Sequence, residues 1–157
     1  MKEIERRARA SGTTMILQLV KVITVGVLAG ATATFAQGDK DVLAHRELKA
    51  MAGTWKEISR QRDGQLVATN ELGTMTQDEL GSAAAGRLTY TVRVDPTASP
   101  KTIDYIVTGG AVVRLGIYEL NGDTLRICLA RPGAARPKEF ASPARQDLVL
   151  SVYRRAK

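Results

Sequence analysis

The sequence predicts an all-β fold, a small antiparallel barrel of about seven or eight short strands behind one short N-terminal helix. Three observations predict it. Apolar and polar residues alternate strictly through Leu88-Thr89-Tyr90-Thr91-Val92-Arg93-Val94, the period of a half-buried strand. Asn121-Gly122 sits between two β-prone runs, which is a strong short-range hairpin signal. Turn residues recur at hairpin spacing from Gly53 onward, and almost no helical period survives there. A closed barrel also removes unpaired strand edges, which suits a chain with a single cysteine and therefore no internal disulfide.

The N-terminus reads as a targeting segment. Residues 1–21 are basic on balance, with Lys2, Arg6, Arg7, Arg9 and Lys21 against Glu3 and Glu5. An uncharged run follows from Val22 to Ala36 and ends in Thr34-Phe35-Ala36, a small-x-small exit. The expectation is a signal peptide over residues 1–36, cleaved between Ala36 and Gln37, with Met15 as a shorter start that would bring the leader to ordinary length. An uncleaved anchor is the alternative, against which the run is shorter than the ~20 residues that span a bilayer. No cysteine near the exit supports a lipoprotein anchor. The mature domain would then be residues 37–157, secreted or periplasmic, with no membrane span after cleavage. Part of the formal net charge of +7 belongs to the leader. The remaining basic excess is scattered, apart from Arg154, Arg155 and Lys157, with no basic stripe interleaved with aromatics, so nucleic acid is not an expected partner.

The elements follow in order. Residues 38–51 predict a short helix with Val42, Leu43, Leu48 and Met51 on one face and Gly53 as its stop. Residues 53–60 predict the first strand, Arg62-Asp63-Gly64-Gln65 a tight turn, and 65–69 a returning strand. Residues 72–76 predict another short strand, and 77–86, small and polar, a loop with about one helical turn. After the alternating strand, Asp95-Pro96 is a stop, because proline lacks the amide donor a ladder needs. Residues 101–108 predict a strand with Ile103, Tyr105 and Val107 on one face, and Gly109-Gly110 a turn. Residues 111–120 and 123–130 form the Asn-Gly hairpin. A two-residue turn would pair Tyr118 with Leu125 and Gly116 with Ile127. Leu115 and Ile117 then face the other way, near Arg126 and Cys128, so the outer wall needs a cover. Residues 131–146 predict a long loop and 147–155 the closing strand.

Two stretches carry a resemblance. Gly53-Thr54-Trp55, after Leu48-Lys49-Ala50-Met51-Ala52, resembles the Gly-x-Trp signature of lipocalins. That resemblance implies a structural signature of Gly53, Trp55 and Arg154: Trp55 plugs the closed end, and a basic residue of the last strand, Arg154, covers its ring. Such a cation–π contact contributes about 0.5–2 kcal/mol. The second stretch is Asp95-Pro96, Pro100-Lys101-Thr102-Ile103-Asp104, Leu115 to Leu125, Cys128-Leu129-Ala130, Arg136-Pro137 and Glu139-Phe140. Together they resemble the uncharacterised lipocalin-like domain family found mostly in planctomycete bacteria, over residues 46–155. The resemblance implies an exported or envelope setting and a lipocalin-like barrel, and it implies no activity. Residues 72–86 depart from the family pattern, being poor in β-branched and aromatic residues. That predicts a short or frayed wall and argues against a closed, ligand-sized cavity.

The chemistry is sparse. His45 is the only histidine and Cys128 the only cysteine. They form no recognisable ligand spacing, and neither has a nucleophile–base partner in view, so no metal, cofactor or catalytic set is expected. Cys128, between apolar neighbours, reads as a buried and inert thiol. Gly109-Gly110 lacks the lysine of a phosphate loop. Asp104 has two readings: an outward carboxylate paired with Arg87, Arg93 or Arg114, or a buried Asp–Arg pair inside the barrel. The 131–146 loop likewise is either a lid whose Phe140 covers the barrel end, or a loop pinned for structure.

Two function classes remain. One is a binding module for a small apolar or amphipathic molecule. The other is a structural or protein-interaction barrel of the cell envelope with a filled interior. The expected interior holds Leu88, Tyr90, Val92, Ile103, Tyr105, Val107, Tyr118, Leu125, Ile127 and Leu129, with Trp55 as plug. So many large side chains predict a shallow mouth and no deep pocket.

Overall fold

A helix leads into the sheet, as the sequence predicts. In a computed structural model the chain is described over residues 38–86, 88–107 and 112–157, and the folded unit is Lys40–Lys157. The expected leader, its cleavage point, Met15 and the Gly109-Gly110 turn lie outside the described residues. Helix α1 (residues 38–51) buries the face that carries Glu47, Leu48 and Met51, and Met51 is fully buried. Val42 and Leu43, expected on that face, are 69% and 42% exposed. The core-facing positions run back from Met51 through Leu48, Glu47 and Ala44; Val42 lies on the opposite side of the helix, and Leu43 at the margin of the stripe one turn nearer the free end.

Among the described residues nine strands follow: β1 (Gly53–Arg62), β2 (Gln65–Leu66), β3 (Thr74–Gln77), β4 (Ser82–Ala85), β5 (Leu88–Asp95), β6 (Thr102–Val107), β7 (Val112–Asn121), β8 (Thr124–Leu129) and β9 (Val149–Arg155). All pairings are antiparallel. Eight strands run in the order β1-β3-β4-β5-β6-β7-β8-β9, and β9 returns to β1, closing the barrel; β2 pairs only with the far end of β1.

The wall is not frayed at residues 72–86. Met75, Thr76 and Gln77 pair with Ala85, Ala84 and Ala83, and β4 pairs in turn with β5. The expected loop at 77–86 is thus a tight turn followed by a strand. Alanine is a weak strand former on its own, and pairing on both sides overrides that weakness. In the turn, the Asp78 carboxylate accepts the amides of Leu80 and Ser82 at 2.9 and 2.8 Å. The expected strand at 65–69 shrinks to β2, and a 3-10 turn follows at Thr69–Glu71.

Two turns show how local chemistry and register divide the work. Asp63 and Gly64 both take positive φ, 50° and 81°, the pattern of a type I′ hairpin turn. At the second hairpin Asn121 pairs with Thr124, so Gly122-Asp123 forms the turn and Tyr118 opposes Ile127 rather than Leu125. Gly122, at φ 56°, then holds the first central position, where a type II′ turn requires glycine. The slip from the expected register is two residues on one strand, so every side chain keeps its expected face.

The core sits towards the end where α1 enters. It gathers Met51, Trp55, Met75, Ala83, Val92, Ile103, Tyr105, Tyr118, Leu125 and Ile127, with Leu48, Tyr90, Val94, Leu120, Leu129 and Tyr153 packed against it. Leu88, expected inside, is 54% exposed. On the outer wall Ile117 and Cys128 oppose one another in register and are 1% and 0% exposed. Their cover is the 131–148 segment. The Cys128 thiol donates to the Ala141 carbonyl at 3.3 Å, Phe140 stacks on Arg126 at 4.4 Å, and Ser142 bonds Leu148. Phe140 therefore lies on the outer wall and is no lid over the barrel end.

Candidate functional site

The two ends of the barrel differ. One is plugged. Trp55 is fully buried, and its indole N–H donates to the Met51 carbonyl at 2.8 Å. A guanidinium covers the ring at 4.2 Å, and it belongs to Arg155, not to the expected Arg154, which is exposed. The reason is parity. β9 turns Tyr153 and Ser151 inward opposite Leu125 and Ile127 of β8, so the next inward position is 155. Arg155 also donates to the carbonyls of Ala52 and Ala50 at 2.6 and 2.8 Å, tying the end of α1 to the last strand. Gly53 opens β1 at φ 125°, where an added Cβ would lie 3.0 Å from the Arg155 guanidinium. Lys101 pairs with Glu47 at 2.6 Å over the same end.

The other end is open. A cavity of about 230 Å³ enters the barrel there, lined by Arg60, Arg62, Met75, Ala85, Tyr90, Tyr105, Arg114, Ile127, Leu129, Val149, Ser151 and Tyr153. An outer vestibule of about 340 Å³ adjoins it and shares Arg62, Arg114 and Val149. Tyr90, Tyr105, Ile127 and Leu129, all expected in the interior, line this cavity. The polar lining was not foreseen.

A bulge brings two of the arginines inside. In β1, Glu57 opposes Tyr153 and Ser59 opposes Val152, which leaves Ile58 over. Before the bulge Trp55 and Glu57 face inward; after it Arg60 and Arg62 do, opposite Ser151 and Val149. Without the extra residue, Ser59 and Gln61 would have taken those places. Arg114 reaches the cavity by ordinary alternation with Gly116 and Tyr118, opposite Tyr105.

The three arginines are not equivalent. Arg60 is committed: its Nε and Nη2 grip both carboxylate oxygens of Glu57, which is only 2% exposed. Glu57 also accepts the Gly73 amide at 3.1 Å, so the buried charge is paired and hydrogen-bonded. Arg114 donates its Nε to the Ala130 carbonyl at 2.9 Å. Burial pushes its guanidinium pKa down, and the like charge of Arg62 adds to that push. Arg62 makes no ion pair among the described residues. Aromatic groups complete the wall. Tyr90 and Tyr105 meet edge to face at 5.5 Å, and the Tyr105 hydroxyl points to the Met75 sulfur at 3.4 Å. Burial raises the pKa of both Tyr105 and Tyr153, so both phenols stay neutral donors at ordinary pH.

The other singled-out residues lie elsewhere. Asp104 is on the outer face, half-buried, and pairs with Arg136 of the covering segment at 2.6 Å rather than with Arg93 or Arg114; Arg87, the third expected partner, lies outside the described residues. Arg136 also donates to the carbonyls of Ile103 and Gly116 at 3.2 and 2.6 Å, a clamp for the cover. His45 is exposed on α1. Burial raises the pKa of Cys128. Among the described residues no group of three or more His, Cys, Asp and Glu converges. Gln77 is an oddity: it is 5% exposed, and its amide nitrogen and oxygen find no protein partner.

Sequence reasoning missed Arg60, Arg62 and Glu57, and it placed Arg114 only as a partner for Asp104. Alternation with Gly116 and Tyr118 was a usable signal for Arg114. For Arg60 and Arg62 no local signal existed, since a bulge leaves no mark on the period. Compared with known proteins, the chain matches no family model, no curated protein and no solved structure.

Proposed function

We propose that this chain is an exported, non-catalytic binding protein whose barrel takes one small amphipathic molecule through its open end. The observation that carries the reading is the asymmetry of the barrel: one end plugged by Trp55 and Arg155, the other holding a 230 Å³ cup with an aromatic and aliphatic floor and a polar rim. Binding sites of this kind combine an apolar interior with a few placed polar groups. The cup is smaller than the roughly 300–1,000 Å³ of drug-sized sites, which points to a short ligand. The lipocalin-like family resemblance and the basic, small-residue-ended leader support the same reading, with the mature protein beginning at Gln37 in the periplasm or outside the cell.

Native mass spectrometry of the protein purified from an exporting host tests both parts. The expected species begins at Gln37 and carries a one-to-one small-molecule adduct, or takes up one molecule of an added fluorescent fatty-acid analogue. A chain that retains residues 1–36 overturns export with cleavage. A chain that takes up no apolar or amphipathic probe favours the filled, structural barrel of the envelope, for which the packed half around Tyr118 and Trp55 speaks.

A further inference from the structure

We propose that the molecule held in the cup is an anion, a short apolar tail ending in an oxyanion head, with the head held by Arg62 and Arg114. The inference rests on the binding role proposed above and names the ligand class. The cup lining contains arginines and no acidic residue. The carboxylate beneath it, Glu57, is consumed by Arg60 and the Gly73 amide. In the vestibule Asp147 is engaged by Arg131 at 3.2 Å, and Asp63 sits in the exposed β1–β2 turn. Arg62 and Arg114 therefore share a cup that holds no carboxylate among the described residues, while the two carboxylates of the adjoining vestibule, Asp63 and Asp147, are both exposed.

Two cations gathered at the mouth of a partly apolar cavity repel each other, and an anion placed between them relieves that repulsion. The planar guanidinium matches a carboxylate or a phosphoryl group, and Arg114 keeps its terminal nitrogens for this after bonding Ala130 through Nε. Tyr105 and Tyr90 below offer ring faces and edges to a tail. The depression over β3–β5 is lined mainly by small and polar side chains with Gln77 and Tyr90 among them; it holds no cation among the described residues, and its one carboxylate, Asp78, already caps the turn.

The test is calorimetric titration of the full chain with octanoate, octyl phosphate, octanol and inorganic phosphate. Octanoate or octyl phosphate is expected to bind one-to-one, at least tenfold tighter than octanol, since exchanging a neutral for a charge-assisted hydrogen bond changes affinity by about that factor. The better of the two identifies the head as carboxylate or phosphoryl. Arg62→Gln and Arg114→Gln should each weaken the better ligand about tenfold and leave octanol unchanged, while Arg93→Gln on the outer wall changes nothing. Because Arg62 is exposed, its variant keeps the test valid even if Arg114→Gln misfolds. Equal binding of octanol and octanoate overturns the anionic head and leaves the cup standing. Inorganic phosphate binding as tightly as octyl phosphate also overturns it, as an adventitious anion site. Absence of binding by all four overturns the cup itself.

Discussion

Arg155→Ala separates the register seen here from the one-residue alternative. Arg155 stacks on Trp55 at 4.2 Å, donates to the carbonyls of Ala52 and Ala50, and reaches Asp123 at 3.3 Å. The stacking contact contributes about 0.5–2 kcal/mol. The part-buried bond to the Ala52 carbonyl adds about 1.5–3 kcal/mol, and the exposed bond to Ala50 adds under about 1 kcal/mol. The Asp123 pair adds under about 1 kcal/mol, because Asp123 is 73% exposed. Against these stand about 2 kcal/mol of rotamer freedom regained on truncation and the 29% exposure of the Arg155 side chain. The net expectation is a loss of about 2–3 kcal/mol for Arg155→Ala. Arg154→Ala, on the solvent face opposite Lys56, should stay within about 0.5 kcal/mol. Arg155→Lys should fall between, since an ammonium cannot stack and bridge two carbonyls together. Urea melts followed by fluorescence of the only tryptophan, Trp55, read all three. Equal losses for Arg154→Ala and Arg155→Ala, or a larger loss for Arg154→Ala, would refute the parity argument.

Trp55→Ala should cost about 3–5 kcal/mol in urea melts followed by far-UV circular dichroism, as for other buried aromatics, and a change below about 1 kcal/mol would mean the ring is no plug. Glu57→Ala leaves Arg60 with its charge half-buried and unpaired, and should cost about 3–5 kcal/mol; a near-neutral result would show that water solvates that pair. Gln77→Met replaces an amide with no protein partner by an apolar side chain of similar size. It should raise stability by about 1 kcal/mol, and a loss would show that the amide is satisfied in solution. Cys128 should react with a thiol reagent only on unfolding, because it is buried and its pKa is raised; rapid reaction of the native protein would sink that expectation.

The covering segment shows where sequence reasoning carried and where it stopped. Apolar residues on both faces of β7 and β8 announce that the outer wall is covered, and it is, over Ile117 and Cys128. What the sequence does not announce is the clamp. Arg136 holds Asp104 and two strand carbonyls, and nothing near Arg136 distinguishes it from any loop arginine.

The sequence by itself determined the class of fold, the lead helix, the alternating faces of β5 and β6, the Asp63-Gly64 turn and the plug residue Trp55. Each of these rests on a local cause: a period, a φ preference, or a stop. Only the tertiary structure decided that Ser82–Ala85 is a strand, that the last arginine over Trp55 is Arg155, and that Arg60 and Arg62 point inward. Each of these is a matter of register between distant segments. A strand's neighbours supply its hydrogen bonds, and one bulged residue exchanges its two faces without altering its composition. The plugged half of the barrel is therefore legible along the chain, and the open half, where we place the ligand, becomes legible only once β9 closes on β1.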